Sequence, residues 1–263
     1  MRGPGIPSLE RVVTLASSAD AFGEGWVRQS GGRVPLSNGF EAFAFVYVWL
    51  SIATALVVLA DIFLFGRRQP MGVMDAVWPL TLLYWGPLGL PFYFSFGRAA
   101  RSHTQMQGHA HGHGSSKPPM WQAVFKGAAH CGAGCALGDF AAEWIALGVG
   151  LVLLGSALAA RLTLSFVLAY AAGIAFQYFA IAPMRGLSFR AGVVAAVKAD
   201  TFSLIAYEIG MFAWMIYRAH VWPGMQPTDW SYWLMMQIAM VCGFATTYPV
   251  NWLLIRFGVK ERM

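Results

Sequence analysis

Charged residues are scarce in this chain of 263 residues: Asp, Glu, Lys and Arg together make up 11% of it, against about 25% in an ordinary globular protein. Hydrophobic residues make up 57%, and the mean hydropathy is +0.54. Since so few charges cannot cover the surface of a soluble protein of this size, we expect the apolar residues to face a lipid bilayer. This composition excludes a soluble enzyme and a disordered chain.

Cysteine is also scarce, and the start of the chain does not read as a cleavable signal peptide. Three cysteines are too few for a disulfide-stabilised fold. Residues 1–40 are mixed in character and rich in glycine, without the apolar core of a signal peptide, and we interpret them as an N-terminal cytoplasmic tail. The net charge of +6 comes from basic residues in short gaps between apolar runs. This pattern indicates membrane topology rather than a nucleic-acid partner.

Six apolar stretches have about the 20 residues that a transmembrane helix needs. The second contains Pro79, Pro87 and Pro91, which predict kinks. We therefore predict an all-α polytopic transmembrane helix bundle of about six spans with Pro-kinked helices, over residues 41–263. The six stretches cover residues 42–65, 74–97, 139–160, 164–184, 195–217 and 232–255.

The basic residues predict the orientation of this bundle. With six spans, both termini lie on the same side of the membrane. All but four of the 18 Lys and Arg fall on that side, the exceptions being Arg67, Arg68, Arg161 and Arg218. Because cytoplasmic loops are enriched in basic residues, we predict a bacterial inner-membrane protein with both termini in the cytoplasm. A loop at residues 98–120 is then cytoplasmic as well.

The third stretch carries residue types that bind transition metals. His130 is followed by Cys131, Cys135, Asp139 and Glu143, the last four at intervals of four residues. On a helix this spacing puts neighbouring members on one face. Thiolate, imidazole and carboxylate are ligands for copper or zinc. The Cys-x3-Cys spacing is less specific than that of a zinc finger, and we expect it at the cytoplasmic entry to the helix.

A structural interpretation of the same stretch is equally open for the cysteines. Gly132, Gly134 and Gly138 permit close helix packing, with small cysteine side chains filling the remaining space. The carboxylates are harder to explain in this way. Each costs roughly 2.5–3.5 kcal/mol to insert into a membrane and tends to mark function.

The fifth stretch adds Asp200 and Glu208, again near its predicted cytoplasmic end. With Asp139 and Glu143 they make four carboxylates in the cytoplasmic half of two helices, which predicts one shared polar pocket. The alternative for Asp200 is a structural ion pair with Lys198.

Two further groups are candidate metal ligands. His109, His111 and His113 alternate in a Gly-rich loop, a composition that binds metal through imidazole; the alternative is a solvated linker. Met211 and Met215 lie one helical turn apart and offer thioether ligands suited to Cu(I). Their alternative role is to fill gaps between helices.

Several strings resemble a known family of bacterial membrane proteins. The chain is similar, over roughly residues 45–263, to the family catalogued as domain of unknown function 4396. The resemblance implies an integral membrane protein and supplies no substrate. The matching strings are WPLTxxYWGP (78–87), HCGAGCxLGD (130–139), FQYFxIAPM (176–184), KADT (198–201), GM (210–211), MQIAM (236–240), YPVNW (248–252) and GVKERM (258–263).

The leading hypothesis from these residues is a membrane protein that binds or transports a transition metal ion, copper or zinc. The His loop gathers the ion, the Cys/His group takes it, and the carboxylates carry it deeper. The alternative is a non-catalytic subunit or assembly factor of a larger membrane complex, whose polar residues hold helices together. A homo-oligomer or a membrane-complex partner fits either hypothesis. A third possibility is a redox enzyme that uses the thiol pair, although non-enzymatic functions are favoured. Nothing in the sequence resembles a nucleotide or flavin site.

Overall fold

The computed structural model describes residues 38–99 and 119–260, and these ranges form six helices and no β-sheet. Helix α1 is followed by the shorter α2, and four long helices then complete the bundle. The helices are α1 (Asn38–Phe63), α2 (Met74–Trp85), α3 (Met120–Val149), α4 (Ala157–Arg185), α5 (Phe189–Val221) and α6 (Trp230–Arg256). The prediction of an all-helical protein is confirmed.

Contacts at the helix ends show how α1, α3 and α6 run relative to one another. The Glu41 carboxylate, in the first turn of α1, accepts hydrogen bonds from Ser231 N (2.8 Å) and Ser231 Oγ (3.0 Å) at the start of α6. The Tyr248 hydroxyl, near the end of α6, donates to Trp121 O (3.3 Å) at the start of α3. Helices α1 and α6 are therefore parallel, and α3 runs against them.

Helix α2 and the residues after it enter the bundle and return to the end from which they came. Arg67 Nη1 donates to Ala99 O (3.0 Å), and Gln69 Nε2 donates to Gly97 O (2.9 Å). Arg67 and Arg98 also share one carboxylate, that of Asp61. The residues before and after this segment are thus neighbours, and the predicted second span, 74–97, is a re-entrant hairpin rather than a crossing.

The hairpin turns where glycine and proline end helix α2. Gly86 has φ +58°, and a Cβ there would lie 2.6 Å from Ser51 Oγ, so the turn requires glycine. Pro87 opens a 3-10 turn, Gly86–Gly89, and the chain returns through a π-helical stretch, Tyr93–Gly97. Trp78 packs edge-on against Tyr93 of the returning chain. Pro87 and Pro91 therefore do more than kink this segment, because α2 ends before them, whereas Pro79 lies inside α2.

Helix α3 occupies a different range from the one predicted. The prediction placed a span at 139–160, but α3 ends at Gly150, which adopts the left-handed conformation (φ +65°). Ser156 then caps α4 by accepting a hydrogen bond from Ala159 N (3.2 Å). The Cys/His group therefore lies within a long helix and not at its entry.

Glycines let α3 and α4 approach each other closely. A Cβ at Gly134 would lie 2.6 Å from the Cα of Gly173, and a Cβ at Gly138 would overlap the backbone of Ala169. Small residues at such a crossing are typical of membrane helices. The packing role proposed for these two glycines is confirmed.

Three helices are long and apolar enough to cross a membrane by themselves: Asn38–Phe63, Ala157–Pro183 and Trp230–Arg256. In the part of the chain that the structure describes, length and composition therefore support three spans rather than the six predicted. Helix α2 has only 12 residues. Helices α3 and α5 have 30 and 33 residues but carry the buried polar groups.

Positive charge is concentrated in one half of the bundle, which we call the basic half. It contains the end of α1 and the start of α3, and all but two of the Lys and Arg of residues 38–99 and 119–260 lie there. The exceptions, Arg161 and Arg218, lie in the opposite half. Arg67 and Arg68 were predicted on the other side from Arg98, which is wrong because the re-entrant hairpin brings them together.

The first and last described residues lie in opposite halves of the bundle, whereas the prediction put both termini on the same side of the membrane. Asn38 lies in the opposite half, beside the start of α6, whereas Lys260 lies in the basic half. An even number of crossings would have put them together. Of the predicted N-terminal tail, only residues 38–40 are described, and they form the first turn of α1.

Candidate functional site

Buried ionisable side chains of α3 and α5 form a polar column along the bundle. The four residues predicted to share a face of α3 are all buried, and the prediction of a shared face is confirmed. Successive members are about 6 Å apart along the helix, so that the series spans about 18 Å. The members of the column are at most 3% exposed: His130, Cys131, Cys135, Asp139, Glu143, Asp200 and Glu208.

The level of the column nearest the basic half is built around Asp200. The Lys260 ammonium lies 2.6 Å from Asp200 Oδ1 and 3.5 Å from Cys131 Sγ. The Cys131 thiol donates to the same carboxylate oxygen at 3.2 Å. Asp200 and Lys260 are both buried, so that this pair is an internal ion pair.

The turn after α6 explains how Lys260 reaches the interior. Gly258 has φ +71°, and the Val259 and Lys260 amides donate back to Leu254 O at 2.9 and 3.1 Å. This glycine-dependent cap reverses the chain. Burial lowers the pKa of Lys260, but Asp200 and Cys131 together raise it by more, so that the net pKa lies above the usual lysine value.

The ion pair predicted between Lys198 and Asp200 is wrong. Lys198 is exposed on α5, since it lies two residues from Asp200 and therefore on a different face of the helix. The partner of Asp200 is instead 60 residues away in the sequence.

The central level contains Cys135, Asp139 and Glu208, which are electrostatic neighbours. Asp139 Oδ1 accepts a very short hydrogen bond from the Ser165 hydroxyl. Asp139 Oδ2 and both carboxyl oxygens of Glu208 have no hydrogen-bond partner among the described residues. No Lys or Arg of these ranges forms a salt bridge with either carboxylate.

Two tyrosines that the sequence analysis missed lie beside the column. A Cβ at Gly132 would lie 2.8 Å from the Tyr207 hydroxyl and even closer to that of Tyr84. Tyr207 donates to Met240 O at 2.8 Å. Because Gly132 has no side chain, both phenol groups can contact the backbone of α3. The sequence signal for this contact is a glycine between two cysteines.

The level in the opposite half contains Glu143, which has cationic neighbours. Arg161 Nε lies 3.9 Å from Glu143 Oε2, and the Arg218 guanidinium lies over the Tyr232 ring, 4.7 Å from its centroid. Glu143 is six residues from the end of α3. Its predicted position at the cytoplasmic entry is therefore wrong.

The predicted single pocket of four carboxylates is likewise replaced by a column with three levels. Asp200 and Glu143 lie at its two ends and have basic partners. Asp139 and Glu208 lie between them without such partners in the described chain. The sequence spacing predicts which face of its helix each residue lies on. The depth of Asp139 and Glu143 in the bundle depends instead on where α3 begins, at Met120.

The remaining predicted ligands are placed as follows. The His130 imidazole is buried and lies edge-on to the Phe176 ring, with 6.0 Å between the ring centroids. Neither of its nitrogens has a hydrogen-bond partner within the described part of the chain. Met211 and Met215 belong to the main apolar core. The loop residues His109, His111 and His113 lie outside the described residues.

No group of three or more His, Cys, Asp or Glu side chains in residues 38–99 and 119–260 is arranged as a metal site. The cysteines of these ranges are free thiols. The column therefore offers donor groups of the types that bind copper or zinc. One of its acids, Asp200, is already neutralised by Lys260.

Comparison with known proteins agrees with the resemblance seen in the sequence. A family model described as "Domain of unknown function (DUF4396)" matches residues 120–260. This range is more than half of the chain and contains every member of the polar column together with Lys260. Neither the curated proteins nor the solved structures include a match. The chain belongs to the DUF4396 family of uncharacterised domains.

Proposed function

We propose that this chain is an integral membrane protein that binds a transition metal ion, copper or zinc, inside its helix bundle. The observation that carries the proposal is the central level of the column. It holds a thiol and two carboxylates, all buried, and the described residues supply no cation to them.

The electrostatic imbalance along the column supports this site. An ionised carboxylate in a low-dielectric interior is costly unless a cation or a proton neutralises it. At the two ends of the column, Lys260 and Arg161 supply the positive charge. The central pair, Asp139 and Glu208, is open to a cation that enters from outside the chain.

The donor types favour a transition metal over an alkali or alkaline-earth ion. Cys135 provides a thiol, and a thiolate suits zinc or copper, whereas calcium and magnesium take oxygen ligands. Asp139 and Glu208 complete the proposed ligands. Binding would release protons from the thiol and the acids, and would require the three side chains to move closer together.

The other sequence motifs extend the same proposal. His109, His111 and His113 would gather the ion, and Cys131 and His130 would take it at the next level of α3. Met211 and Met215 would continue the path with thioether groups. Lys260 would compete with the ion for Asp200 and Cys131.

We also propose that α1, α3, α4, α5 and α6 cross a bacterial inner membrane, with the basic half in the cytoplasm. The excess of Lys and Arg in that half supports this orientation. Helices α3 and α5 can cross despite their polar groups because these groups face the interior of the bundle. Helix α2 forms the re-entrant part.

Metal content tests the proposed site. We expect about one copper or zinc ion per chain in protein purified in detergent, measured by inductively coupled plasma mass spectrometry. The double variant Cys131→Ser/Cys135→Ser should lose it, because sulfur donors are replaced by weaker hydroxyls. The matched control is Cys242→Ser, which changes the one cysteine outside the column. A deletion of residues 103–113 should keep the ion.

Two results would contradict the metal site. One is metal at background in every variant, even after reloading under reducing conditions. The other is metal that disappears with residues 103–113 but persists in the double cysteine variant, since this would place the ion in the loop.

A structural subunit of a larger membrane complex is the second candidate function, and one observation favours it. Polar side chains join α5 to α6: Thr246 donates to Ala206 O (2.7 Å), Thr247 to Ser203 O (2.8 Å) and Ser203 to Asn251 Oδ1 (3.0 Å). Such bonds hold membrane helices together. Stability that depends on a co-purifying partner and not on metal would support this function.

A further inference from the structure

Two phenol side chains lie between the level of the column that contains Cys131 and the level that contains Cys135. Tyr84 belongs to the last turn of α2, at the tip of the re-entrant hairpin, and Tyr207 belongs to α5. Both hydroxyls contact the backbone of α3 at Gly132. Tyr84 is an electrostatic neighbour of both cysteines. We call Tyr84 and Tyr207 the phenol barrier.

Tyr207 is held in its position by α6. Its hydroxyl donates to Met240 O at 2.8 Å. Its ring packs against the backbone of the same helix, where a Cβ at Gly243 would lie only 2.6 Å from the ring. Because movement of Tyr207 would break a buried hydrogen bond, it is the fixed member of the barrier.

The backbone on either side of Tyr84 is held as well. Gln237 Nε2 donates to Leu83 O at 2.7 Å, and the Tyr47 hydroxyl donates to Trp85 O at 3.1 Å. These bonds tie the tip of the hairpin to α6 and α1. A movement at Tyr84 therefore falls on its side chain rather than on the hairpin.

The Tyr84 side chain itself has fewer restraints and has space beside it. Its hydroxyl has no hydrogen-bond partner among the described residues. A cavity of about 710 Å³ borders Tyr84, with apolar walls that include Leu80, Ala136 and Phe140. Cavities of this size hold whole small molecules, so that one aromatic ring fits easily. Rotation about the Cα–Cβ bond from one rotamer to another can therefore move the ring into the cavity without breaking a hydrogen bond.

We infer that Tyr84 is the movable member of a gate within the column. In the conformation described above, its ring closes the interior of the bundle between Cys131 and Cys135. When the ring turns into the cavity, the space beside Gly132 joins the two levels, while Tyr207 stays in place. This inference goes beyond the proposed metal site, because it concerns passage along the column and does not depend on which cation uses it.

The reactivity of Cys135 measures the state of this gate, because its thiol is fully buried beside the barrier. The background variant Cys131→Ser/Cys242→Ser keeps Cys135 as the one cysteine of the chain. The metal-free protein in detergent is treated with iodoacetamide, and mass spectrometry of the intact protein gives the rate of alkylation. A buried group reacts in proportion to the population of the open conformation.

Removing the Tyr84 ring should open the gate permanently. Tyr84→Ala is expected to raise the rate of alkylation by about tenfold or more, because no rotation is then needed. Tyr84→Phe retains the ring and should change the rate by less than about twofold. The matched control Tyr47→Ala, which removes another contact at the hairpin tip, should also change it by less than about twofold. Equal acceleration by the two alanine variants would indicate a loosened hairpin and would overturn the inference.

Filling the cavity tests the movement with Tyr84 intact. Ala136→Phe occupies the space into which the ring would turn, and we expect alkylation about tenfold slower than in the background variant. The matched control, Ala213→Phe on the exposed face of α5, should change the rate by less than about twofold. An unchanged rate in Ala136→Phe would show that Tyr84 does not move and would likewise overturn the inference. Since metal is absent throughout, neither result depends on the proposed metal site.

Discussion

Replacing Lys260 with methionine is expected to lower the free energy of unfolding by about 3–5 kcal/mol, the usual cost of leaving one member of a buried ion pair without its partner. Asp200 and Lys260 have side chains exposed by 0% and 1%, and their charged atoms are 2.6 Å apart. Methionine is unbranched and one atom shorter than lysine, and it removes the charge. Unfolding in mixed micelles, followed by circular dichroism, measures the effect.

The matched control for this variant is Lys198→Met. Lys198 is two residues from Asp200 but exposed, so its replacement should change the free energy of unfolding by less than about 0.5 kcal/mol. The double variant Asp200→Leu/Lys260→Met should recover much of the lost stability, because no unpaired charge remains. Equal effects of the two single lysine variants would show that Lys260 is not the partner of Asp200.

Labelling of introduced cysteines is expected to put Arg68 and Leu154 on opposite sides of the membrane. Six crossings would place Arg68 outside the cell and Leu154 within the outer part of the third predicted span, 139–160. The re-entrant hairpin instead puts Arg68 in the basic half, together with Phe257, and Leu154 in the opposite half. All three side chains are accessible, with exposures of 59%, 74% and 96% for Arg68, Phe257 and Leu154 respectively.

The experiment uses a membrane-impermeant maleimide on spheroplasts, with each cysteine introduced singly into a Cys242→Ser background. Leu154→Cys should react in intact spheroplasts. Arg68→Cys and Phe257→Cys should react only after permeabilisation, which serves as the control for reactivity. Reaction of Arg68→Cys together with Leu154→Cys in intact spheroplasts would show that residues 74–97 cross the membrane.

The sequence predicted the features that depend on composition and local spacing. The scarcity of charge indicated a membrane protein, and three helices do have the length and hydropathy to span a bilayer. The interval of four residues from Cys131 to Glu143 put these side chains on one buried face of α3. The glycines around Cys135 were recognised as allowing close packing, which Gly134 and Gly138 show.

The features that the sequence could not predict depend on contacts between distant residues. A re-entrant hairpin and a crossing helix have the same hydropathy, and only the bonds of Arg67 and Gln69 to residues 97–99 distinguish them. The burial of Lys260 could not be predicted from the sequence, because it depends on the backbone conformation of the turn at Gly258. Tyr84 reaches α3 only through that same hairpin.

The start of α3 was missed for a related reason. Residues 120–138 contain glycines, a histidine, a lysine and two cysteines, and their hydropathy is too low for a lipid-facing span. In the bundle this part of α3 is largely buried against other helices, where packing rather than hydropathy decides the conformation. Because α3 begins at Met120, every candidate ligand on it lies at a different depth from the one predicted.

The most direct test of the central claim is X-ray absorption spectroscopy at the metal edge of protein loaded with zinc. A site that includes Cys135 predicts a sulfur shell at about 2.3 Å together with oxygen or nitrogen ligands at about 2.0–2.2 Å. The sulfur shell should be unchanged in Cys242→Ser and should disappear in Cys131→Ser/Cys135→Ser. A spectrum with oxygen and nitrogen ligands alone, identical in both variants, would contradict metal binding inside the bundle.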